Sequence, residues 1–116
     1  MDKKQPVFFQ PEQWGRHFWY TVECTIFSMD NNYESSKEFV YLFFYALQNT
    51  LPCPECREHY QNYFQKNDLK SLLDSKEKVF HWVYNLRKDI NTRLGVKNIS
   101  FSDYQKELEK KFHLKL

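Results

Sequence analysis

Two of the three cysteines of this 116-residue chain, Cys53 and Cys56, lie in the short sequence Cys-Pro-Glu-Cys. On the chain-entropy description, a disulfide closing so short a loop stabilises a fold by only about 2 kcal/mol, against about 3 kcal/mol for a loop of about 15 residues. A cross-link that served stability alone would join cysteines farther apart. The spacing therefore favours a reactive dithiol over a structural staple.

The residues around the pair predict that it lies at the N-terminus of a helix. Pro52 and Pro54 restrict the backbone before and inside the pair, and a helix-like stretch follows. At a helix N-terminus, free backbone N–H groups and the positive end of the helix dipole stabilise a thiolate, the nucleophilic form of cysteine. Arg57 and His59 add positive charge nearby. The sequence thus predicts an activated cysteine pair.

Other kinds of protein also use a Cys-x-x-Cys pair. A zinc site could take Cys53, Cys56 and His59 as ligands. The fourth ligand would be His81, although a structural zinc usually has its second ligand pair at close spacing and His81 stands alone. A thioredoxin fold needs a βαβ pattern that the chain lacks, and haem attachment needs a histidine where Arg57 stands. A zinc-stabilised helical interaction module is therefore the main alternative to redox chemistry.

Composition indicates a single globular domain spanning residues 1–116. Hydrophobic residues make up 41% of the chain and aromatic residues 19%, enough for a packed core without metal or disulfide support. The net charge of +2 predicts no nucleic-acid partner. No run of about 18 apolar residues could span a membrane. The opening Met-Asp-Lys-Lys does not begin a secretory signal, which favours redox or metal chemistry for the cysteines over a disulfide scaffold.

Helical periodicity predicts an all-α protein with four long helices and a short fifth one. Only two glycines and four prolines interrupt the sequence, and no segment shows strand-like alternation. The predicted helices are Pro11 to Met29, a second opening at a Ser35–Glu38 capping box, a third from the CxxC pair to Gln65, a fourth from Ser75 to a Gly95 stop, and a fifth opening at Ser102 and Gln105. The predicted apolar face of the second helix carries Phe39, Leu42, Phe43, Ala46 and Leu47. Asn31 and Asn32 predict a turn, and residues 68–73 predict a short helical turn.

A reactive dithiol in an all-helical protein needs an electron acceptor. Protein side chains offer none, so the sequence predicts a bound cofactor. The aromatic side chains are numerous enough to stack on a flat ring system, although most of them are expected in the core. Trp19 and Trp82 lie on separate predicted helices and could face each other across the bundle.

Three segments, in this order and at this spacing, resemble the Erv/ALR family of FAD-linked sulfhydryl oxidases. The segments are Trp14-Gly-Arg-His-Phe-Trp19, Leu51-Pro-Cys-Pro-Glu-Cys-Arg-Glu-His59, and Trp82 to Asp89-Ile-Asn91-Thr-Arg-Leu-Gly95. The resemblance covers roughly residues 14–104 and is greatest to the minimal enzymes of large DNA viruses, poxviruses in particular. It implies a four-helix bundle with a short fifth helix and with FAD held at one mouth of the bundle.

The resemblance also implies an activity and a set of site residues. The protein would be a thiol oxidase that makes protein disulfides and passes electrons through FAD to oxygen, giving hydrogen peroxide. Cys56 would lie against the flavin, and Cys53 would exchange with substrate thiols. The implied cofactor-binding residues are Gly15, Arg16, Trp19, Tyr84, Arg87, Lys88, Asn91, Arg93 and Leu94. No metal site is implied.

The chain departs from the family pattern at two places that hold the adenine end of FAD. Glu23 stands where the family has a histidine, and Arg87-Lys88 stands where a later motif opens with His-Asn. With both family histidines replaced, Arg87 is expected to stack on the adenine as a planar cation.

Partners and location follow from the same resemblance. Family members are usually homodimers through their first two helices. The chain lacks the distant shuttle cysteines of cellular members, so a reduced thiol or dithiol protein, acting as a separate relay, is the expected partner of Cys53. Cys24 is expected to be a plain buried or interface thiol. For a viral protein, the expected location is the host cytoplasm or the virion.

Overall fold

The structure is a computed structural model that describes residues 7–29, 34, 36–113 and 115. This part of the chain forms α-helices and short 3₁₀ segments and contains no β-strand, so the all-α prediction is confirmed. The elements are α1 (Pro11–Phe27), α2 (Lys37–Thr50), α3 (Pro54–Lys66), the 3₁₀ turn (Lys70–Leu72), α4 (Lys76–Leu94) and α5 (Phe101–Phe112). The fifth helix has 12 residues against 13 in α3, so it is not markedly short. No helix among these residues is both long and apolar enough to cross a membrane.

Sequence signals at the ends of α1 and α4 predicted their boundaries well. Pro11 is the first residue of α1, where its missing N–H group leaves no hydrogen bond unmade. The Ser75 side chain caps α4 by accepting the backbone N–H of Lys78 at 3.3 Å. Gly95 ends α4 with φ 71°, a left-handed conformation that glycine adopts without strain.

The N-terminus of α5 lies two residues before its predicted position. Ser100 is the N-cap residue, since its Oγ accepts the backbone N–H of Asp103 at 3.1 Å. Ser102 lies inside the first turn and is exposed. Either serine could cap a helix, and the packing of α5 against α4 decides which of them does. Phe101, between them, stacks on His81 of α4 with ring centroids 3.6 Å apart, which places the start of α5 against α4.

The buried face of α2 is rotated relative to its prediction. Phe39 is 69% exposed and Leu42 is 48% exposed, and Ala46 is exposed as well. Leu47 is buried as predicted, and Phe43 is half-buried. The prediction was therefore wrong for three of the five residues assigned to this face.

Phe44 decides which face of α2 packs inward. Its ring is fully buried and lies edge-on to Trp82, with centroids 5.3 Å apart. Its backbone carbonyl accepts the hydroxyl of Tyr60 from α3. Because α2 is apolar around most of its circumference, periodicity alone permits more than one buried face. The contacts with α3 and α4 choose among them.

Two further predictions concern the loops. The short helical turn predicted within residues 68–73 is present as the 3₁₀ turn Lys70–Leu72. Ser35, predicted to cap α2, and the turn predicted at Asn31 and Asn32 lie outside the described residues.

Trp82 belongs to the hydrophobic core. It is 3% exposed, its ring packs edge-on against Tyr63 at 5.1 Å, and its Nε1 donates to the Asn67 carbonyl at 2.9 Å. Trp19 instead packs against Phe18, with ring centroids 5.1 Å apart. Among the described residues the two tryptophans make no ring contact, so the expectation that they face each other is not borne out.

Two buried tyrosines hold α3 between α2 and α4. The Tyr60 hydroxyl donates to the Phe44 carbonyl of α2 at 2.5 Å, and the Tyr63 hydroxyl donates to the Trp82 carbonyl of α4 at 2.7 Å. Burial raises the pKa of both phenols well above the ordinary value, so both stay protonated and donate. Because α3 begins at the CxxC pair, these bonds also fix the position of the cysteines.

Candidate functional site

Cys53 and Cys56 form a disulfide at the N-terminus of α3, as their spacing predicted. Cys53 is the N-cap residue, with extended backbone at φ −148°, and Pro54 is the first residue of the helix. The Cys53 Sγ accepts the backbone N–H of Cys56 at 3.1 Å. The sulfur therefore takes the place that a serine or aspartate oxygen takes at other helix caps.

The segment before α1 is bonded to the loop that carries the cysteines. The Phe9 backbone N–H donates to the Pro52 carbonyl at 2.9 Å, and Trp14 Nε1 donates to the Phe9 carbonyl at 3.0 Å. Arg57, expected to add positive charge, donates through Nε to the Leu51 carbonyl at 2.6 Å. These bonds bring the N-terminal turn of α1 against the CxxC pair.

A cavity of about 480 Å³ opens beside the disulfide. Helix α1 contributes an aromatic wall of Trp14, Phe18 and Trp19. Residues of α3 and α4 complete the lining, with His59, Tyr60, Leu86, Ile90, Arg93 and Leu94 among them. Both cysteines line the cavity and are half-buried.

The lining of this cavity fits a flat aromatic ring group. Aromatic and aliphatic side chains can stack on the faces of such a ring, and the cysteines reach the same space. Gly15 lines the cavity, and apart from its chain neighbours and the backbone of α1 no atom lies within 4 Å of the place that a Cβ would take there. The open space at Gly15 leaves room for a bound group against the backbone of α1.

Of the nine residues predicted to bind a cofactor, four line the cavity beside the disulfide, four line a second cleft, and one lines neither. Gly15, Trp19, Arg93 and Leu94 line the cavity beside the disulfide. Arg16 is exposed and is not among the lining residues of this cavity. The second group lines a neighbouring cleft and consists of Tyr84, Arg87, Lys88 and Asn91.

This neighbouring cleft has a volume of about 270 Å³ and lies between α4, α5 and the loop that joins them. Three cationic side chains line it, from Arg87, Lys88 and Lys97. The side-chain oxygen of Asn98 is buried there without a hydrogen-bond partner, although the Asn98 amide donates to Thr92 at 3.0 Å. A buried acceptor of this kind can accept a hydrogen bond from water or from a bound ligand.

Glu23 is a functional candidate that sequence reasoning did not assign. Its carboxylate is fully buried and accepts from Arg87 at 2.9 Å, from the Tyr104 hydroxyl at 2.8 Å and from Lys111 at 3.1 Å. The available signal was its position, since Glu23 stands where the family has a histidine. Arg87, expected to stack on adenine, donates to this carboxylate through one of its nitrogens.

The zinc alternative has no support in the described part of the chain. Its residues contain no group of three or more histidine, cysteine or acidic side chains arranged to hold a metal ion. Cys53 and Cys56 are joined to each other, and His81 stacks on Phe101 away from them. Cys24 is a free, half-buried thiol that does not line the cavity.

An all-helical protein with a CxxC disulfide at a helix N-terminus, opening into an aromatic cavity, belongs to the class of helical thiol–disulfide proteins. The Erv1/Alr family model matches residues 13–113, and the chain belongs to that family. The family predicted from the three sequence segments is therefore confirmed.

The chain is similar to several viral proteins of this family. It is 32% identical over 93 residues to an FAD-linked sulfhydryl oxidase of African swine fever virus, covering 79% of this chain and 76% of the relative. It is 28% identical over 102 residues to a probable FAD-linked sulfhydryl oxidase of Acanthamoeba polyphaga mimivirus, covering 86% and 71%. A probable FAD-linked sulfhydryl oxidase of fowlpox virus is 31% identical over 64 residues, covering 55% and 64%. No solved structure gave a significant match.

Proposed function

We propose that this protein is an FAD-linked thiol oxidase that makes disulfides in substrate proteins. The observation that carries this proposal is the Cys53–Cys56 disulfide at the mouth of the aromatic cavity. The names of the viral relatives agree with it. When bound, FAD supplies the two-electron acceptor that returns the cysteine dithiol to a disulfide and passes the electrons to oxygen, giving hydrogen peroxide.

The aromatic cavity is the proposed place of the flavin ring system. Trp14, Phe18 and Trp19 supply the aromatic wall, and Leu86 and Ile90 supply aliphatic surface. These side chains exclude water from the space beside the cysteines. The helices carrying them would form a bundle with the cofactor at one mouth, as the family resemblance implies.

The neighbouring cationic cleft is the proposed place of the polar half of FAD. The pyrophosphate is anionic, and Lys88 and Lys97 provide positive charge. Asn91 lines the same cleft, and the unpaired Asn98 oxygen can accept from an amino group of the ligand. Arg93 provides a further cation in the cavity beside the disulfide.

Thiol exchange is proposed to begin at Cys53. A substrate thiolate attacks the Cys53 Sγ, the bond to Cys56 breaks, and Cys56 leaves as a thiolate. A second substrate thiolate attacks the substrate sulfur of this mixed disulfide and releases the Cys53 thiolate. Two substrate thiols are thereby oxidised to a disulfide with loss of two protons and two electrons, and the enzyme disulfide is reduced to a dithiol.

The geometry of the two sulfurs supports this assignment. Cys53 precedes the helix, whereas Cys56 lies in the first turn and packs against the core. The Cys56 N–H already donates to the Cys53 Sγ, and the same bond stabilises the Cys53 thiolate when it is released. Cys53 is thus the exchange thiol, and Cys56 is the thiol on the cofactor side.

A homodimer is the proposed assembly. Phe39, Leu42 and Tyr45 of α2 are 69%, 48% and 51% exposed, and they lie at a spacing that places them near one another on the helix. Burying this apolar surface in a second copy would remove it from water. Sedimentation of the wild type and of a Phe39→Ser, Leu42→Ser variant distinguishes a dimer from a monomer.

A separate dithiol protein is the proposed partner of Cys53. Cys24 does not line the cavity and offers no second thiol beside the disulfide. In a Cys56→Ser variant the resolving sulfur is gone, so partners are expected to accumulate as mixed disulfides through Cys53. Mass spectrometry after acid quench identifies the linked cysteine, and linkage through Cys24 would contradict this route.

An absorbance spectrum and an oxygen electrode test the activity directly. The purified protein is expected to show flavin absorbance bands and to consume oxygen when a small dithiol is added, with hydrogen peroxide as product. A colourless protein that binds no added FAD would refute the oxidase assignment. Loss of helical structure on adding a chelator would instead favour the zinc module.

A further inference from the structure

The Glu23 carboxylate joins three helices in the part of the molecule behind the cavity. It lies on α1 and is fully buried. One oxygen, Oε2, accepts from Arg87 of α4 and from the Tyr104 hydroxyl of α5, and the other, Oε1, accepts from Lys111 of α5. Both oxygens therefore have partners, and the carboxylate has a single orientation.

Stability alone does not account for this cluster. A buried carboxylate needs charged partners to offset its desolvation, and Arg87 and Lys111 supply them. Yet packed apolar groups of similar volume often stabilise a core as well as a buried ion pair does. Unlike packed apolar groups, an ion pair also fixes the positions of the charged side chains that form it.

Arg87 is the partner whose position matters for the site. Its guanidinium lies over the ring of Trp19, 5.2 Å from the ring centroid, and over the ring of Tyr104 at 5.7 Å. Trp19 lines the cavity beside the disulfide, and Arg87 lines the cationic cleft. Arg87 of the cleft therefore contacts Trp19 of the cavity, and the two compartments meet at this contact.

Tyr104 contributes to the same arrangement from α5. Its hydroxyl donates to the oxygen that also accepts from Arg87. Burial, and then the adjacent Glu23 carboxylate, raise the pKa of Tyr104 well above its ordinary value, so the hydroxyl remains a donor. Lys111, on the other carboxylate oxygen, balances charge without touching Arg87.

We infer that Glu23 is a positioning residue for the cofactor, which acts by holding the Arg87 guanidinium against Trp19. This inference rests on the proposed FAD site. Glu23 is fully buried, so its effect on FAD passes through Arg87 and Trp19 rather than through direct contact. Held in place, Arg87 presents one fixed surface to the cleft and supports the Trp19 ring that lines the cavity. Less conformational entropy is then lost when the cofactor binds.

A double-mutant cycle tests this coupling through FAD affinity, measured by fluorescence titration of the apo-protein. Glu23→Gln is expected to weaken FAD binding about tenfold, because the ion pair with Arg87 becomes a hydrogen bond from the guanidinium to a neutral amide. Arg87→Met is expected to weaken binding at least as much. The double variant is expected to bind FAD no more weakly than Arg87→Met alone, since Glu23 has no further route to the cofactor.

Lys111→Met is the matched control, since it removes a cation from the same carboxylate and leaves Arg87 in place. Its FAD affinity is expected to stay within about twofold of the wild type. Additive losses in the cycle, unchanged affinity in Glu23→Gln, or an equal loss in Lys111→Met would each overturn the inference. A purely structural role predicts instead that Glu23→Gln and Lys111→Met lower the melting temperature of the apo-protein equally and weaken FAD binding equally.

Two outcomes separate this inference from the proposed function. A wild type that binds no FAD would refute the function itself, whereas a wild type that binds FAD with an additive cycle would refute only the role of Glu23. If Glu23→Gln does not fold, the cycle is repeated in the Lys111→Met background, where one fewer cation is left unpaired. Failure of Glu23→Gln to fold in both backgrounds would show that the carboxylate is structural and would also overturn the inference.

Discussion

The CxxC turn and the Glu23 cluster are built over very different distances along the chain. Cys53 and Cys56 are three residues apart, and Pro54 between them sets the helix start. The partners of Glu23 are 64, 81 and 88 residues away and come from α4 and α5. One site is a local turn of the backbone, and the other exists only after three helices have packed.

The two regions therefore make different contributions to the site. The CxxC turn supplies the reactive bond, and its helix-cap geometry involves only residues next to one another in the chain. The Glu23 cluster supplies no reactive group and sets the position of Arg87 beside Trp19. The reactive disulfide therefore depends on residues close together in the sequence, whereas the shape of the cofactor cavity depends on contacts between residues far apart in it.

The largest expected effect comes from the local site. Cys53→Ser and Cys56→Ser should each abolish thiol-dependent oxygen consumption, because exchange requires both sulfurs. Cys24→Ser should keep most of the activity, since this thiol does not line the cavity. An oxygen electrode with a small dithiol as substrate measures all three variants. Substantial activity in either CxxC variant would remove the reactive pair from the mechanism.

The next largest effect concerns the cavity wall. Trp19→Ala should weaken FAD binding by at least about tenfold, because an aromatic stacking surface and the contact with Arg87 are both lost. His17→Ala is the control from the same helix, since His17 is exposed and does not line the cavity. Flavin content after dialysis compares the two. An equal loss in both variants would mean that the cavity is not where the ring binds.

A smaller effect is expected from the bonds that hold α3. Tyr63→Phe should lower the free energy of unfolding by about 1 kcal/mol, because a buried hydrogen bond to the Trp82 carbonyl is lost. Urea denaturation of the apo-protein measures the change. Tyr84→Phe removes a more exposed hydroxyl bond, to the Ile99 carbonyl, and should cost less. The reverse order would show that α3 is not held as the structure indicates.

A comparably small effect tests the corrected start of α5. Ser100→Ala should destabilise the protein by about 1 kcal/mol, because the cap to the Asp103 N–H is lost. Ser102→Ala should change stability by less than about 0.5 kcal/mol, as for an exposed surface position. Thermal denaturation of both variants decides which serine caps the helix. A larger loss from Ser102→Ala would restore the prediction made from sequence.

The fold was predicted correctly where a short stretch of sequence is compatible with only one local structure. Pro11, Ser75 and Gly95 marked helix ends that the structure contains. The prediction was wrong for α2, where the apolar residues surround the helix and more than one face could be buried. It was also wrong by two residues at α5, where Ser100 and Ser102 could both cap.

The candidate site also has one part that the local sequence predicted and one part that it did not. Its cysteines, their place at a helix N-terminus and their family were available from the sequence, because a Cys-Pro-Glu-Cys turn constrains its own backbone. Trp19 and Arg93 were placed in the cavity only when α1 and α4 packed beside the pair.

The sequence by itself therefore determined the helices, the dithiol and the family of this protein, since these depend on residues close together in the chain. The tertiary structure decided that Trp82 lies in the core and that Glu23 is buried. It also decided that Arg87 is bonded to Glu23 and packed against Trp19. These contacts depend on which faces of helices far apart in the sequence pack together. The Glu23 carboxylate can be buried only because three side chains from other helices donate hydrogen bonds to it.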